Sequence, residues 1–115
     1  MRKIRERGII MNKVEMLGRL VKDVEILKSK SGNEYAKFTL AVKRKAGEET
    51  DFFNCTAFGK QVEALEKYTE KGNRIIIVGS IQNDSYTDKE GNKKQQTTII
   101  VDEFYFVDFK KELAK

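Results

Sequence analysis

Apolar and polar residues alternate along most of this chain. Val14, Met16, Gly18 and Leu20 share one parity; Ala36, Phe38, Leu40 and Val42 share another, with Lys37, Thr39 and Lys43 between them. A period of two sends successive side chains to opposite faces, so both segments predict half-buried strands. Ser31-Gly32-Asn33 supplies a turn between a short strand near Val24 to Leu27 and the strand that begins near Tyr35. Thr50 to Phe58, Arg74 to Gln82 and Thr97 to Val107 are rich in β-branched and aromatic residues and predict three more strands. The polar stretch from Ser85 to Gln96, tipped by Asp88 to Lys94, reads as a long hairpin turning at Gly91-Asn92. A shorter polar tip, Lys43 to Glu49, joins the second long strand to the third.

One segment breaks the alternation. Lys60 to Lys71 carries Val62, Leu65 and Tyr68 at a spacing of three, adds Ala64 to that stripe and ends at Gly72, where a C′ glycine is expected. A single α-helix therefore sits between the third and fourth long strands. Five strands with a helix in that slot is the element order of an all-β OB-fold, a five-stranded Greek-key barrel, here with a long hairpin between its fourth and fifth strands. Other small β-barrels and an α+β sandwich share part of this pattern.

A length of 115 residues suits one domain. Residues 1–10 stand apart as a flexible basic extension: Arg2, Lys3, Arg5 and Arg7 face Glu6 alone, no period is visible, and Met11 follows. The domain is expected over residues 11–109, with 110–115 as a short tail. An arm without a role and an arm that helps hold phosphate both fit the extension. No apolar run approaches the ~20 residues of a membrane span, so neither a membrane nor a secretory signal is expected. The lone Cys55 excludes an intrachain disulfide and suits a reducing cytoplasm.

The net charge of +5 and pI near 9.3 favour an anionic partner. Catalytic chemistry has little to work with. Without histidine there is no Ser-His-Asp relay, and one cysteine cannot build a structural zinc site. Adjacent acids such as Asp102 and Glu103 point to opposite faces of a strand, while Glu48 and Glu49, or Asp88 and Glu90, fall in hydrated loops. Cys55 lies on the core parity of its strand with no base beside it, which reads as a buried structural thiol. No enzyme activity, metal, cofactor or small-molecule substrate is expected.

The most informative stretch runs from Asp51 to Lys60. Alternation puts Phe53, Cys55 and Ala57 on an apolar face and Phe52, Asn54, Thr56 and Phe58 on the other. Two rings thus stand roughly 20 Å apart along an extended strand, with hydrogen-bonding groups between them. Rings on a polar face cost solvation unless something covers them. Nucleotide bases do so by stacking, worth about 1 to 3 kcal/mol per base; cross-strand packing or a dimer contact would cover them equally well. Lys43, Arg44 and Lys45 before this strand and Lys60 after it add positive charge. Tyr86 lies at the base of the hairpin that carries Lys89, Lys93 and Lys94, placed either to stack on a base or to pin the hairpin to the barrel.

Residues 11 to 109 resemble the bacterial and phage single-stranded DNA-binding proteins. The likeness runs in order through Met11-Asn12-Lys13-Val14, Leu17-Gly18-Arg19-Leu20, Phe38 to Val42, Thr50 to Lys60, Tyr68 to Gly72, Val78-Gly79 to Gln82, Ser85 to Asp88 and Glu90 to Lys93. It implies an OB-fold that binds single-stranded DNA without marked sequence preference and protects it in replication, recombination and repair. A cytoplasmic, nucleoid-associated homotetramer is implied, its dimers pairing first strands across Asn12 to Leu17. By the same likeness Phe52, Phe58 and Tyr86 are the stacking residues. Lys43, Lys60 and Lys71 are the basic contacts, with Arg19, Arg44 and Lys94 beside them.

The chain departs from the family pattern in four places. It lacks an aromatic near Arg44 and Lys45, has Asn83-Asp84-Ser85 where bases are common, and has Val24 at a frequent proline. It also ends Lys110-Lys111-Glu112-Leu113-Ala114-Lys115 without the family's linker and acidic tip, which fits a short accessory paralogue, a phage or mobile-element form, or a truncated chain. Two other readings of the same residues are an OB module for replication restart or RNA binding, and a protein-interaction barrel whose rings form an oligomer seam.

Overall fold

The computed structural model describes residues 9–109; residues 1–8 of the basic extension and the tail at 110–115 lie outside the described residues. Six strands and one helix follow in the order β1 (Val14–Leu20), β2 (Glu25–Lys28), β3 (Glu34–Lys43), β4 (Thr50–Phe58), α1 (Lys60–Tyr68), β5 (Arg74–Thr87) and β6 (Lys93–Phe106). The short β2 is a hairpin extension of β3, pairing from Glu25↔Lys37 to Lys28↔Glu34. The five long strands are ordered β1-β5-β6-β4-β3, and a β1–β3 pairing joins the two ends. This closed sheet, in which only β4 and β6 run parallel, is the expected OB barrel.

Closure depends on two glycines. β1 leaves β5 after Arg19↔Arg74 and meets β3 at Arg19↔Ala41 and Leu20↔Leu40. A Cβ on Gly18 would stand 2.6 Å from the Ala41 carbonyl oxygen, so only glycine lets the strand bend there. On the far edge of β5 the register shifts at Val78/Gly79, leaving Asp102 of β6 without an opposite number. A Cβ on Gly79 would collide with the Ile100 carbonyl. Past this bulge β6 stays beside β4 as far as Thr98; beyond Gln82↔Thr98 the β5–β6 ribbon leaves the barrel and runs on as a two-stranded arm to Thr87↔Lys93.

The core follows the alternation. Leu20, Ala36, Phe38, Leu40, Cys55, Ala57, Ile75, Ile77, Ile99 and Val101 are buried, and Val62 and Leu65 of α1 close one end. Phe53, Val42, Val14 and Met16 pack against this cluster.

Three expectations need correction. α1 ends at Tyr68, three residues early, because Thr69 turns extended and its hydroxyl donates to the Leu65 carbonyl. Gly72 does have positive φ, but it serves the turn into β5, where its N–H donates to the Leu20 carbonyl and Lys71 N–H to the Asp23 carboxylate. The last two strands extend well beyond Gln82 and before Thr97 because the polar arm is fully paired. The arm turns over Asp88 to Asn92, where the Asp88 carboxylate accepts the N–H groups of Glu90 and Asn92.

The end of β6 is fastened by charge. Arg74 donates Nε and Nη2 to the two oxygens of Asp108 at 3.0 and 3.1 Å, and its backbone N–H adds a third bond at 2.9 Å. These bonds, chiefly those from the guanidinium, hold the Asp108 carboxyl at about 2. A carboxyl depressed on folding stabilises fully above its unfolded pKa of about 4 and loses that contribution as pH falls toward 2. In urea titrations, Asp108→Asn is therefore expected to lower the midpoint at pH 7. The gap to the unsubstituted chain should narrow between pH 4 and 2; a gap independent of pH would refute the ion-pair account.

Candidate nucleic-acid interface

β4 is held on both edges, and this sets what its outer face presents. It pairs antiparallel to β3 over nine residue pairs from Tyr35↔Phe58 to Lys43↔Thr50, and parallel to β6 from Asn54↔Thr98 to Ala57↔Val101. With Cys55 and Ala57 buried, Phe52, Asn54 and Phe58 must face outward. Phe52 is 64% and Phe58 50% exposed. Thr56, assigned by alternation to the same open face, is instead buried, flanked in register by Lys37 of β3 and Ile100 of β6.

The face is wider than β4. On β3 it includes Tyr35, Lys37, Thr39 and Ala41; the Tyr35 and Phe58 rings lie 6.0 Å apart between centroids with a 34° tilt. Thr98 and Ile100 of β6 and Gln82 of β5 continue it beyond Asn54 and Thr56. Farther up the arm, Tyr86 is 49% exposed and sits directly opposite Lys94. The structure thus brings Phe52, Phe58, Tyr86 and Lys94 onto one connected surface. Tyr35 and Lys37 join them without having been singled out from sequence. Alternation could have found Tyr35, since it has the opposite parity to buried Ala36 and Phe38.

The remaining basic candidates occupy different settings. Lys60 opens α1 and lines a cleft of about 830 Å³ with Phe58 and Lys28. Lys43 and Arg19 line a second cleft of about 400 Å³ with Ala41, Thr50 and Arg74. Arg19 also donates to the Gly72 carbonyl at 2.9 Å, next to exposed Lys71, so Lys71, Arg19 and Lys43 form a run of positive charge around that end of the barrel. Arg44 differs. Its guanidinium makes a fork to Asp51 at 3.0 and 3.1 Å and reaches Glu49 at 2.6 Å. The Arg44 hydrogen bonds hold the Asp51 carboxyl below the usual carboxylate range. This trio ties the β3–β4 loop to the foot of β4 and leaves Arg44 less charge to offer an anion.

No group of three or more potential metal-ligating side chains gathers among the described residues, and none of their helices is long and apolar enough to cross a membrane. Cys55 is buried, with its thiol pushed up to about 12 by desolvation. A thiol this far above neutral pH is almost wholly protonated.

An OB barrel with a ring-bearing, cation-edged sheet face and a projecting arm defines a binding protein. The family model for the single-strand binding protein family matches residues 11–107. A single-stranded DNA-binding protein of Clostridium perfringens is 41% identical over 100 residues, covering 85% of this chain and 67% of that protein. Single-stranded DNA-binding protein 3 of Clostridium acetobutylicum is 38% identical over 104 residues, covering 86% of this chain and 72% of that protein. The chain belongs to the single-strand binding protein family. Its fold matches that of a Plasmodium falciparum single-strand binding protein in complex with single-stranded DNA. The TM-score is 0.79 at 24% identity, over 87% of this chain and 97% of that one.

Ellman's reagent provides a check on the placement of β4. The native protein should show no reaction at Cys55 on the timescale of a free thiol, and one full equivalent after denaturation. Rapid labelling of the native chain would mean that β4 does not turn this parity inward.

Proposed function

We propose that this protein binds single-stranded DNA along the outer face of β3, β4, β6 and the arm, and that it acts as a non-catalytic coat on DNA exposed during replication, recombination and repair. Bases stack on Phe52, Phe58 and Tyr86. Lys43, Lys60, Lys71, Arg19 and Lys94 hold the phosphates and release counterions. Arg44 contributes mainly by fixing the loop beside Phe52. The observation that carries this reading is the exposure of three aromatic rings on one surface of a sheet whose other side is a complete core. Rings left in water on a cation-edged sheet face suit a flat, sequence-tolerant partner that covers them.

The same barrel offers a second surface for self-assembly, and we assign to it the homotetramer. On the outer side of β1 and β5, Leu17 pairs with Ile76, which pairs with Tyr105 of β6; Val78 lies next along β5. Leu17 is 49% and Tyr105 51% exposed. The Asn12 side-chain amide fastens the chain before β1 to β5, donating Nδ2 to the Ile81 carbonyl at 2.8 Å and accepting the Ile81 N–H at 3.0 Å, and this supports Asn12 to Leu17 as an edge for the first strand of a second copy. Such a DNA-coating protein belongs with the nucleoid in the cytoplasm.

Titration with oligo(dT) at two salt concentrations is expected to show affinity falling steeply as salt rises. Phe52→Ala should weaken binding about tenfold, the loss of one stacked base, without changing the circular dichroism spectrum. Light scattering with and without oligonucleotide reads the assembly in the same samples. Unchanged affinity in Phe52→Ala would remove the stacking claim, and a monomer at micromolar concentration would remove the tetramer.

A further inference from the structure

Between the ring pair and the arm lies a pocket of about 260 Å³, lined by Tyr35, Phe58, Asn54, Gln82, Asp84 and Gln96 among others. This is just below the ~300–1,000 Å³ of sites for drug-sized ligands and suits a smaller planar group. Rows across the sheet explain its composition. Asn54 of β4 stands beside Thr98 of β6, which faces Gln82 of β5; the next row up the arm is Gln96 facing Asp84. Rings therefore border a floor of amides, hydroxyls and one carboxylate on the arm side, with Lys37 of β3 as the cation on the opposite side.

The hydrogen bonding of that floor is directional. Gln82 donates Nε2 to Asp84 Oδ1 at 3.0 Å. A carboxylate can only accept, so the Gln82 amide has its NH₂ turned toward Asp84 and its carbonyl oxygen turned away. Among the described residues Asp84 forms no ion pair. Its second oxygen and the Gln82 carbonyl oxygen are both acceptors; the carboxylate charge repels a phosphate from the arm side of the pocket, while Lys37 attracts one to the β3 side. A strand of DNA crossing the pocket would turn a base edge toward Asp84 and keep its backbone toward Lys37.

We propose that this pocket is a base-reading subsite that favours nucleobases bearing an exocyclic amino group, with Asp84 as the residue that sets the preference. Cytosine and adenine present an amino donor on the edge where thymine presents a carbonyl, and a carboxylate accepting from the cytosine N4 amino group is an established pairing. The Tyr35–Phe58 pair supplies the stacking surface that holds the base while its edge is read. This rests on the single-stranded DNA reading above and adds to it a modest base preference within otherwise sequence-tolerant binding.

The test compares oligo(dC) and oligo(dT) of one length by fluorescence anisotropy at neutral pH and fixed salt, for the unsubstituted protein and for Asp84→Ala. Removing a negative charge should tighten both strands, so the readout is the ratio of the two affinities. Asp84→Ala is expected to shift that ratio about fivefold toward oligo(dT). If both strands bind and the ratio does not change, the subsite is refuted and the DNA-binding function stands. If the unsubstituted protein binds neither strand, the function itself fails and the subsite with it.

Discussion

Everything on the binding face depends on the register of β4. The strand is fixed on one side by nine antiparallel pairs to β3 and on the other by its parallel run beside β6. A slip of one residue would bury Phe52, Asn54 and Phe58 and expose Phe53, Cys55 and Ala57. The small buried side chains Cys55 and Ala57 resist that slip because the aromatic rings do not fit where they sit. Burial of the core and presentation of the face are two results of one constraint, since each neighbour in the sequence serves the opposite side.

The two glycines extend this constraint to the rest of the barrel. Gly18 lets β1 pass from β5 to β3, which closes the sheet and places Arg19 beside Lys43. Gly79 marks where the β5–β6 ribbon changes register, below the point at Gln82↔Thr98 where it leaves the barrel. Without that change the arm would carry Gln82, Asp84 and Tyr86 on a different heading from the β4 rings. Positions with no side chain thus decide where the functional side chains go.

The strands and the two faces of β4 could be read from the sequence because alternation is a local signal and the core is one contiguous cluster. The end of α1 could not. Tyr68 continues the helical stripe; the chain turns extended at Thr69, and the segment after it is held by distant partners, with Leu20 and Asp23 accepting from Gly72 and Lys71. The pairing of Arg44 with Asp51 crosses a loop and follows only from the β3–β4 register. Tyr35 shows the intermediate case: its outward parity was visible, but its ring partner lies on the next strand. The Gln82–Asp84 contact needed only the two-residue spacing, yet its meaning depends on which side of the arm faces β4.

The ring pair has an optical consequence. The chain contains four tyrosines and no tryptophan, so phenol emission is not masked by an indole. Tyr35 touches Phe58 and Tyr86 stands exposed on the arm, whereas Tyr68 is packed edge-on against Phe106 at the end of α1 and Tyr105 lies on the outer side of β6. A nucleobase lying over the first two, as proposed above, would quench their light and leave Tyr68 and Tyr105 as internal references. The unlabelled native protein thereby carries its own reporter of occupancy.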